Sequence, residues 1–245
     1  MNSIIDVAYQ FFVEKLPYVT IVMFSIGILL NIRRWYYKPK EKNGKQRFFT
    51  ASALKYVVLD VVFFRKVYKT GKLTWLILII FHLGAAGIIF GHLRGFKVWS
   101  VSMFTPLGEA AVTFIVEVLP VYMGYLFIFS ILILLGRRIL LEGKQLESMP
   151  NDYVALVLLL ITSILGQGMR IIPPESATDG VHEITFIPNL IVLHLEKYPS
   201  FHWFYLHILF TQLFIAYIPF SKLVHIYTGV ISSALYGSRR RRYGI

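Results

Sequence analysis

The sequence contains no cysteine among its 245 residues. This absence excludes disulfides and thiolate-held iron–sulfur clusters within the chain, so any such cluster must lie on a partner. Acidic residues are also scarce, with 13 Asp and Glu against 25 Lys and Arg. Hydrophobic residues make up 56% of the chain and occur in runs of about 20, which are typical of transmembrane helices. The composition therefore predicts an integral membrane protein.

The apolar runs predict an all-α membrane protein with five transmembrane helices in a single membrane-embedded domain, residues 1–245. The spans cover about residues 12–32, 73–93, 112–135, 153–172 and 203–230. In the polar segment 33–72, residues 53–69 mix apolar and charged positions at near-helical spacing, which predicts an amphipathic helix in the membrane interface. Asp6, Glu14 and Lys15 precede the first run, so no cleavable signal peptide is expected.

The basic residues predict the orientation of the chain in the cell membrane. Of the 25 Lys and Arg residues, 20 lie in segments 33–72, 136–152 and 222–245, which five spans place on one side. Because basic loops favour the cytoplasm, the N-terminus is predicted outside and the C-terminus in the cytoplasm. The net charge of +12 then reflects topology and contact with lipid, and no nucleic-acid partner is expected.

Four histidines in two apolar runs predict two metal centres. His82 and His92 lie ten residues apart in the second run, and His207 and His225 lie eighteen apart in the fifth. Eighteen residues of ideal helix complete five turns, so His207 and His225 should leave one face about 27 Å apart. In an antiparallel helix pair, His82 faces His225 on the cytoplasmic side and His92 faces His207 on the outer side. Two axial imidazoles are typical of electron-transfer haems.

The surroundings of these histidines bear on the same hypothesis. Small residues of the second span predict room for a flat macrocycle: Gly84, Ala85, Ala86, Gly87 and Gly91. The alternative is that the histidines only pack helices or lie in the interface, but two matched pairs at compatible depths favour ligands. Three other histidines lie in a polar loop without paired spacing, and their role is left open: His182, His194 and His202.

Two segments resemble a known family. FHLGAAGIIFGH and YLHILFTQLFIAYIPFSKLVH are similar to the gamma subunit of respiratory nitrate reductase, a five-span di-haem cytochrome b. The segment VVLDVVFFRKVYKTGKLTW is more similar to cytochrome subunits of sulfite-reductase-linked (Dsr-type) and heterodisulfide-reductase-like membrane complexes. No lysine occurs between Lys97 and Lys144 to match the one near the nitrate reductase quinol pocket. These departures favour the sulfur-linked subgroup.

The resemblance implies a role in a respiratory complex. Two haem b groups are expected, an inner one on His82 and His225 and an outer one on His92 and His207. Menaquinol is oxidised near the outer face, and electrons reach a cytoplasmic iron–sulfur subunit of heterodisulfide-reductase type that serves sulfur, sulfite or heterodisulfide reduction. Further membrane and extracytoplasmic subunits are compatible with this role. The alternatives are a nitrate reductase gamma subunit, the same path run toward quinone reduction, and a non-redox transporter or anchor. A transporter is disfavoured because the sequence shows no internal repeat.

Candidate quinol-site residues lie near the predicted outer surface. Glu117 is the predicted proton acceptor, because an acidic group inside the hydrocarbon commonly marks a proton route. Four other residues are predicted to contact the quinol or the haem propionates: Gly91, Arg94, Lys97 and Arg170. The partner is predicted to dock on basic cytoplasmic segments: residues 53–72, 137–138 and 239–242.

Overall fold

The computed structural model describes residues 4–36, 51–141, 150–172, 202–225 and 227–234. These residues are mostly helical and contain no strand, which confirms the predicted all-α fold for this part of the chain. Several positions singled out from the sequence lie outside the described residues: His182, His194, residues 37–50 and residues 239–242.

The α-helices follow one another along the chain with short breaks. They are α1 (Ile4–Glu14), α2 (Leu16–Tyr36), α3 (Ala51–Val57), α4 (Arg65–Thr70), α5 (Lys72–Leu93), α6 (Glu109–Thr113), α7 (Leu119–Leu141), α8 (Pro150–Ile171) and α9 (His202–Tyr217). A π-helical turn, Phe114–Val118, joins α6 to α7.

Five helical stretches of the described residues are long and apolar enough to cross a membrane, which confirms the predicted number. They are Leu16–Arg34, Lys72–Leu93, Glu109–Leu141, Pro150–Ile171 and His202–Phe220. The third is longer than predicted because α6, the π-helical turn and α7 form one stretch of 33 residues. The orientation of these spans remains a prediction.

The fifth span ends earlier than the predicted residue 230. The α-helix stops at Tyr217, and two short 3₁₀ turns follow, Ile218–Phe220 and Lys222–Val224. Pro219 has no backbone N–H and cannot continue the helical hydrogen bonds. Ser221 is extended and its hydroxyl accepts from the Leu223 N–H at 3.1 Å, which starts the next turn. Residues 227–234 are helical again.

The predicted amphipathic helix is divided into two pieces. After α3 and a π-helical turn (Val58–Val62), Phe64 adopts a left-handed conformation with φ 47°, and α4 begins at Arg65. The Asp60 side chain is only 2% exposed and forms ion pairs with Arg65 at 2.9 Å and Lys66 at 3.6 Å. These charges were expected on a polar surface, but both cations pair with a carboxylate that is buried. Placement of the segment in the membrane interface remains a prediction.

Contacts between Cα atoms divide the chain into two units. One consists of Met1–Ile21 with Ile80–Ile215, and the other of Val22–Ile79 with Ala216–Ile245. Glycines set the closest helix contacts of the first unit, because an added Cβ would collide with the facing residue. The pairs are Gly84 with Phe127, Gly87 with Met123, Gly124 with Gln167, and Gly168 with Trp203.

Two polar contacts also hold helices of the first unit together. Arg138 of α7 donates to Asp152 of α8 at 3.0 Å, and the Asp152 side chain is only 3% exposed. Gln212 of α9 donates to the Phe12 carbonyl of α1 at 2.8 Å. Since buried polar groups in an apolar environment need partners, these bonds specify which helices meet.

Candidate functional site

His92 of α5 and His207 of α9 come together in the first unit. Their ring centres lie 6.2 Å apart, and the ring planes are inclined by 22°. The sequence analysis placed these two side chains opposite each other in an antiparallel pair of spans, and in this unit their rings are neighbours. Their role as metal ligands remains a prediction. His92 is exposed at the surface of the unit, whereas His207 is partly buried.

The ring of His207 is held by α8. Its Nδ1 donates to the Thr162 carbonyl oxygen at 2.9 Å, because a carbonyl oxygen can only accept. Gly166 lies one turn further along α8, and an added Cβ there would be 2.9 Å from Cε1 of His207. This contact was missed from the sequence. The only available signal was LGQGM, whose two small residues are typical of close helix packing.

The ring of His92 is held by its own helix. Its Nδ1 donates to the Ile88 carbonyl oxygen at 2.8 Å, one turn back along α5. Within the described part of the chain, the Nε2 atoms of His92 and His207 have no hydrogen-bond partner. In a neutral imidazole these bonds put the proton on Nδ1 and leave a lone pair on Nε2, the form in which histidine binds a metal.

The glycines of α5 differ from what the sequence predicts. Gly84 and Gly87 were expected to leave room for a macrocycle, but their Cα atoms lie against Phe127 and Met123 of α7. Their small size serves helix packing. Gly91 is different, since an added Cβ would have no atom within 4 Å. Of these three glycines, only Gly91 borders open space beside a histidine.

The turn after α5 places Arg94 and Lys97 close to His92. The Gly95 N–H donates to the His92 carbonyl at 2.9 Å, and Lys97 has a positive φ of 56°. The chain then returns, because the Trp99 indole donates to the Phe90 carbonyl at 2.7 Å and stacks on the Phe90 ring. Gly91, Arg94 and Lys97 thus lie near one another because they belong to the end of α5 and the turn that follows it.

Glu117 and Arg170 lie on other helices of the same unit. Glu117 is exposed and belongs to the π-helical turn Phe114–Val118, eight residues after the start of the third span at Glu109. It therefore lies about two turns inside the span. Arg170 is in the last turn of α8, four residues after Gly166, so both occupy the same face of that helix.

The two predicted inner ligands lie in different units. His82 is in the middle of α5, where its ring meets Phe81 edge-on at 5.0 Å between centres. His225 follows the 3₁₀ turn Lys222–Val224, and its Nδ1 donates to the Lys222 carbonyl at 2.9 Å. Because α9 ends at Tyr217, the five-turn argument that aligned His207 with His225 does not apply. The pairing of His82 with His225 remains a prediction.

His202 has a structural partner that the sequence did not indicate. Its Nδ1 and the Tyr9 hydroxyl share a hydrogen bond of 2.7 Å, and the Tyr9 ring stacks on Tyr205 at 4.6 Å. This contact joins α1 to the start of α9, next to buried Val13 and Ile208. The contact gives His202 a packing role at the first turn of α9.

The described residues contain no cluster of three or more His, Cys, Asp or Glu side chains that could hold a metal ion alone. A haem does not need such a cluster, because the porphyrin supplies four ligands and the protein supplies one or two. His92 and His207 could therefore hold a haem without further protein ligands.

Comparison with known proteins places the chain in a family. Residues 65–240 match the family model described as nitrate reductase gamma subunit. The chain belongs to this family. All four predicted ligands lie within the matched residues: His82, His92, His207 and His225.

Two relatives of this chain carry a more specific name. Each is called an Hdr-like menaquinol oxidoreductase cytochrome b-like subunit. The protein from Archaeoglobus fulgidus is 27% identical over 248 residues, covering 85% of this chain and 74% of the relative. The protein from Archaeoglobus profundus is 30% identical over 158 residues, covering 62% of this chain and 46% of the relative. The predicted resemblance to the heterodisulfide-reductase-like subgroup is confirmed.

Proposed function

We propose that this chain is the membrane-embedded, di-haem cytochrome b subunit of a multisubunit menaquinol oxidoreductase in the cell membrane. The observation that carries the proposal is the arrangement of His92 and His207. Family membership and the names of the two relatives support the class of complex.

The distance between the two rings suits a shared metal. With metal–nitrogen bonds of about 2 Å and about 1 Å from each nitrogen to its ring centre, two axial imidazoles have centres about 6 Å apart. The observed separation is 6.2 Å. An ordinary aromatic pair can have this separation too. The hydrogen bonds support the metal-binding case, because both Nδ1 atoms donate to carbonyls and leave Nε2 free to bind a metal.

Other polar atoms near His207 also fit a site that a further group completes. The hydroxyl oxygens of Thr162 and Thr211 are buried and have no hydrogen-bond partner in the described residues. Thr211 lies one turn after His207 on α9, and Thr162 supplies the carbonyl that holds the ring. Since an unsatisfied buried hydroxyl costs about 1–3 kcal/mol, two of them beside one imidazole support a bound cofactor.

A second haem is proposed on His82 and His225. His225 shares the key property of the outer pair, since its Nδ1 donates to a backbone carbonyl and its Nε2 keeps a lone pair. Haem bound at the two sites supplies one-electron transfer across the membrane. The role of this chain is to fix the imidazoles, exclude other ligands and bring the quinol to the outer pair.

Menaquinol is proposed to bind beside His92. Gly91 borders open space there, so a flat ring can approach the helix without meeting a side chain. Arg94 and Lys97 follow within the next turns, and Arg170 lies one turn beyond the His207 contact on α8. These cations suit the quinol oxygens or haem propionates. Glu117 is the proposed proton acceptor, and its exposed position in a π-helical turn suits that role.

The partner is proposed to be a cytoplasmic iron–sulfur subunit related to heterodisulfide reductase and linked to sulfur, sulfite or heterodisulfide reduction. The absence of cysteine requires that any cluster lie on another chain. The predicted orientation places the basic segments on the side where this subunit binds. Arg138 is an exception among them, because it forms an ion pair with Asp152.

The test is the haem content and reduced-minus-oxidised spectrum of the purified full chain and its single variants. His92→Ala and His207→Ala are expected to lose the same haem, and His82→Ala and His225→Ala the other. His202→Ala is the matched control, since this histidine bonds to Tyr9 and should not affect either haem. Haem-free wild-type protein, or spectrally different losses in His92→Ala and His207→Ala, would overturn the proposal.

A further inference from the structure

We propose that Thr162 and Gly166 of α8 are positioning residues that fix the tautomer and orientation of the His207 ring. This inference rests on the proposed function, in which His207 is an axial haem ligand. None of the proposed iron ligands lies on α8. The inference gives this helix control over the electronic properties of the outer haem.

The first step concerns the carbonyl oxygen of Thr162. In an α-helix, this oxygen already accepts the N–H of residue 166, one turn later. It also accepts Nδ1–H of His207 at 2.9 Å, which its second lone pair permits. A helix carbonyl is normally covered by the side chain of the following turn. Here that position is Gly166, so the imidazole can reach the oxygen from outside the helix.

The second step concerns space. A Cβ on Gly166 would lie 2.9 Å from Cε1, 3.2 Å from Nδ1 and 3.8 Å from Nε2 of His207. The first distance is shorter than protein structures tolerate, so the ring would have to move. The atom that makes the hydrogen bond is one of those displaced. Any side chain at position 166 therefore disturbs the Thr162–His207 bond directly.

The third step concerns chemistry. Donation from Nδ1 to a carbonyl places the lone pair on Nε2 and makes this nitrogen a stronger donor to a metal. A more basic axial ligand stabilises the ferric state. Loss of the bond should therefore raise the midpoint potential of the outer haem, and a rotated ring should change its electron paramagnetic resonance spectrum.

The test compares three glycine variants of the haem-loaded full chain. Gly166→Ala acts on His207. Gly168→Ala creates a similar collision on the same helix, but with Trp203, whose ring atoms would lie 2.8 and 2.9 Å away. Gly136→Ala has no atom within 4 Å of the added Cβ. Each variant is measured by redox titration, by the resonance spectrum of its ferric haems and by haem affinity at limiting haem.

Gly166→Ala is expected to raise the potential and shift the spectrum of one haem, and to weaken its binding about 10- to 100-fold. Gly168→Ala should lower thermal stability but leave both haem spectra as in wild type, and Gly136→Ala should change neither. Equal haem shifts in the 166 and 168 variants, or a wild-type spectrum in Gly166→Ala, would overturn the inference while the proposed function stands. Wild-type protein that binds no haem would instead overturn the proposed function.

A measurement on wild-type protein covers the case in which Gly166→Ala does not fold. Reduced bis-histidine haem is diamagnetic, so nuclear magnetic resonance with ¹⁵N-labelled histidine can detect the Nδ1 proton of the axial ligands. A slowly exchanging Nδ1 proton on His207 supports the inference. A rapidly exchanging Nδ1 proton, as expected for an imidazole without the Thr162 bond, contradicts it.

Discussion

Arg138 was predicted to belong to a partner-docking surface, and the structure shows that it also joins two helices. Its Nη1 lies 3.0 Å from Oδ2 of Asp152, which joins the end of α7 to the start of α8. The Asp152 side chain is 3% exposed and that of Arg138 is 30% exposed. We therefore predict that replacing Arg138 lowers stability, whereas replacing the adjacent Arg137 does not.

The expected loss of stability depends on which charge each substitution leaves in the protein. Arg138→Met removes a guanidinium that pairs with a buried carboxylate, and breaking a buried pair in this way costs about 3 kcal/mol. Asp152→Asn leaves a guanidinium that can reach solvent and that still has an oxygen to bind, so about 1–2 kcal/mol is expected. The double variant should be closer to wild type than Arg138→Met, because no buried charge remains.

The assay is thermal unfolding of the purified chain in detergent, together with binding of the iron–sulfur partner at a temperature where each variant is folded. In a chain of this length, each kcal/mol lost from the free energy of unfolding is expected to lower the Tm by about 2–4 °C. Arg137→Met is the control for the loss of one positive charge. If Asp152→Asn proved as destabilising as Arg138→Met, the buried carboxylate would not be the source of the effect. If Arg138→Met weakened partner binding without lowering the Tm, the prediction that Arg138 belongs to the docking surface would be supported.

Two further predictions concern the quinol site and the second unit. Glu117→Gln should slow quinol oxidation about 100-fold, as expected for loss of a proton acceptor, with both haems retained; an equal effect of Glu109→Gln in the same assay would argue against a specific role. Asn31→Leu should lower the free energy of unfolding by about 1–3 kcal/mol in a denaturation experiment, because the Pro219 carbonyl then loses its 2.7 Å donor. Gly27→Ala, which collides with Pro219, should act in the same direction, and wild-type stability in both variants would refute this account.

The number of spans and the meeting of His92 with His207 could be predicted from the sequence for simple reasons. A run of about 20 apolar residues has few stable arrangements other than a membrane helix. Imidazoles within such runs are costly and rare, so paired ones carry strong information. The family match over residues 65–240 includes both of these segments.

The roles of the glycines could not be predicted in this way. A glycine that makes room for a cofactor and one that makes room for a facing helix look the same in a sequence. Gly84 and Gly87 contact α7, Gly166 contacts His207, and Gly91 faces open space. Which role each has depends on the rotation of its helix against its neighbours, and that rotation is set by tertiary packing. The hydrogen bond from His207 to Thr162 could not be predicted either, because it also depends on this rotation.

The break in PFSKLVH could not be predicted either, although it lies in one of the two segments that resemble the family. A break in a helix frees backbone carbonyls, and each must find a donor where water is scarce. In the second unit, Ser221 donates to the Ile218 carbonyl at 3.0 Å, Asn31 donates to that of Pro219, and His225 donates to that of Lys222 at 2.9 Å. The same bond that satisfies the Lys222 carbonyl leaves Nε2 of His225 as the atom that would bind the proposed haem. The direction of His225 is therefore set by the broken backbone next to it. The eighteen-residue spacing from His207 does not set it, because α9 ends before His225 is reached.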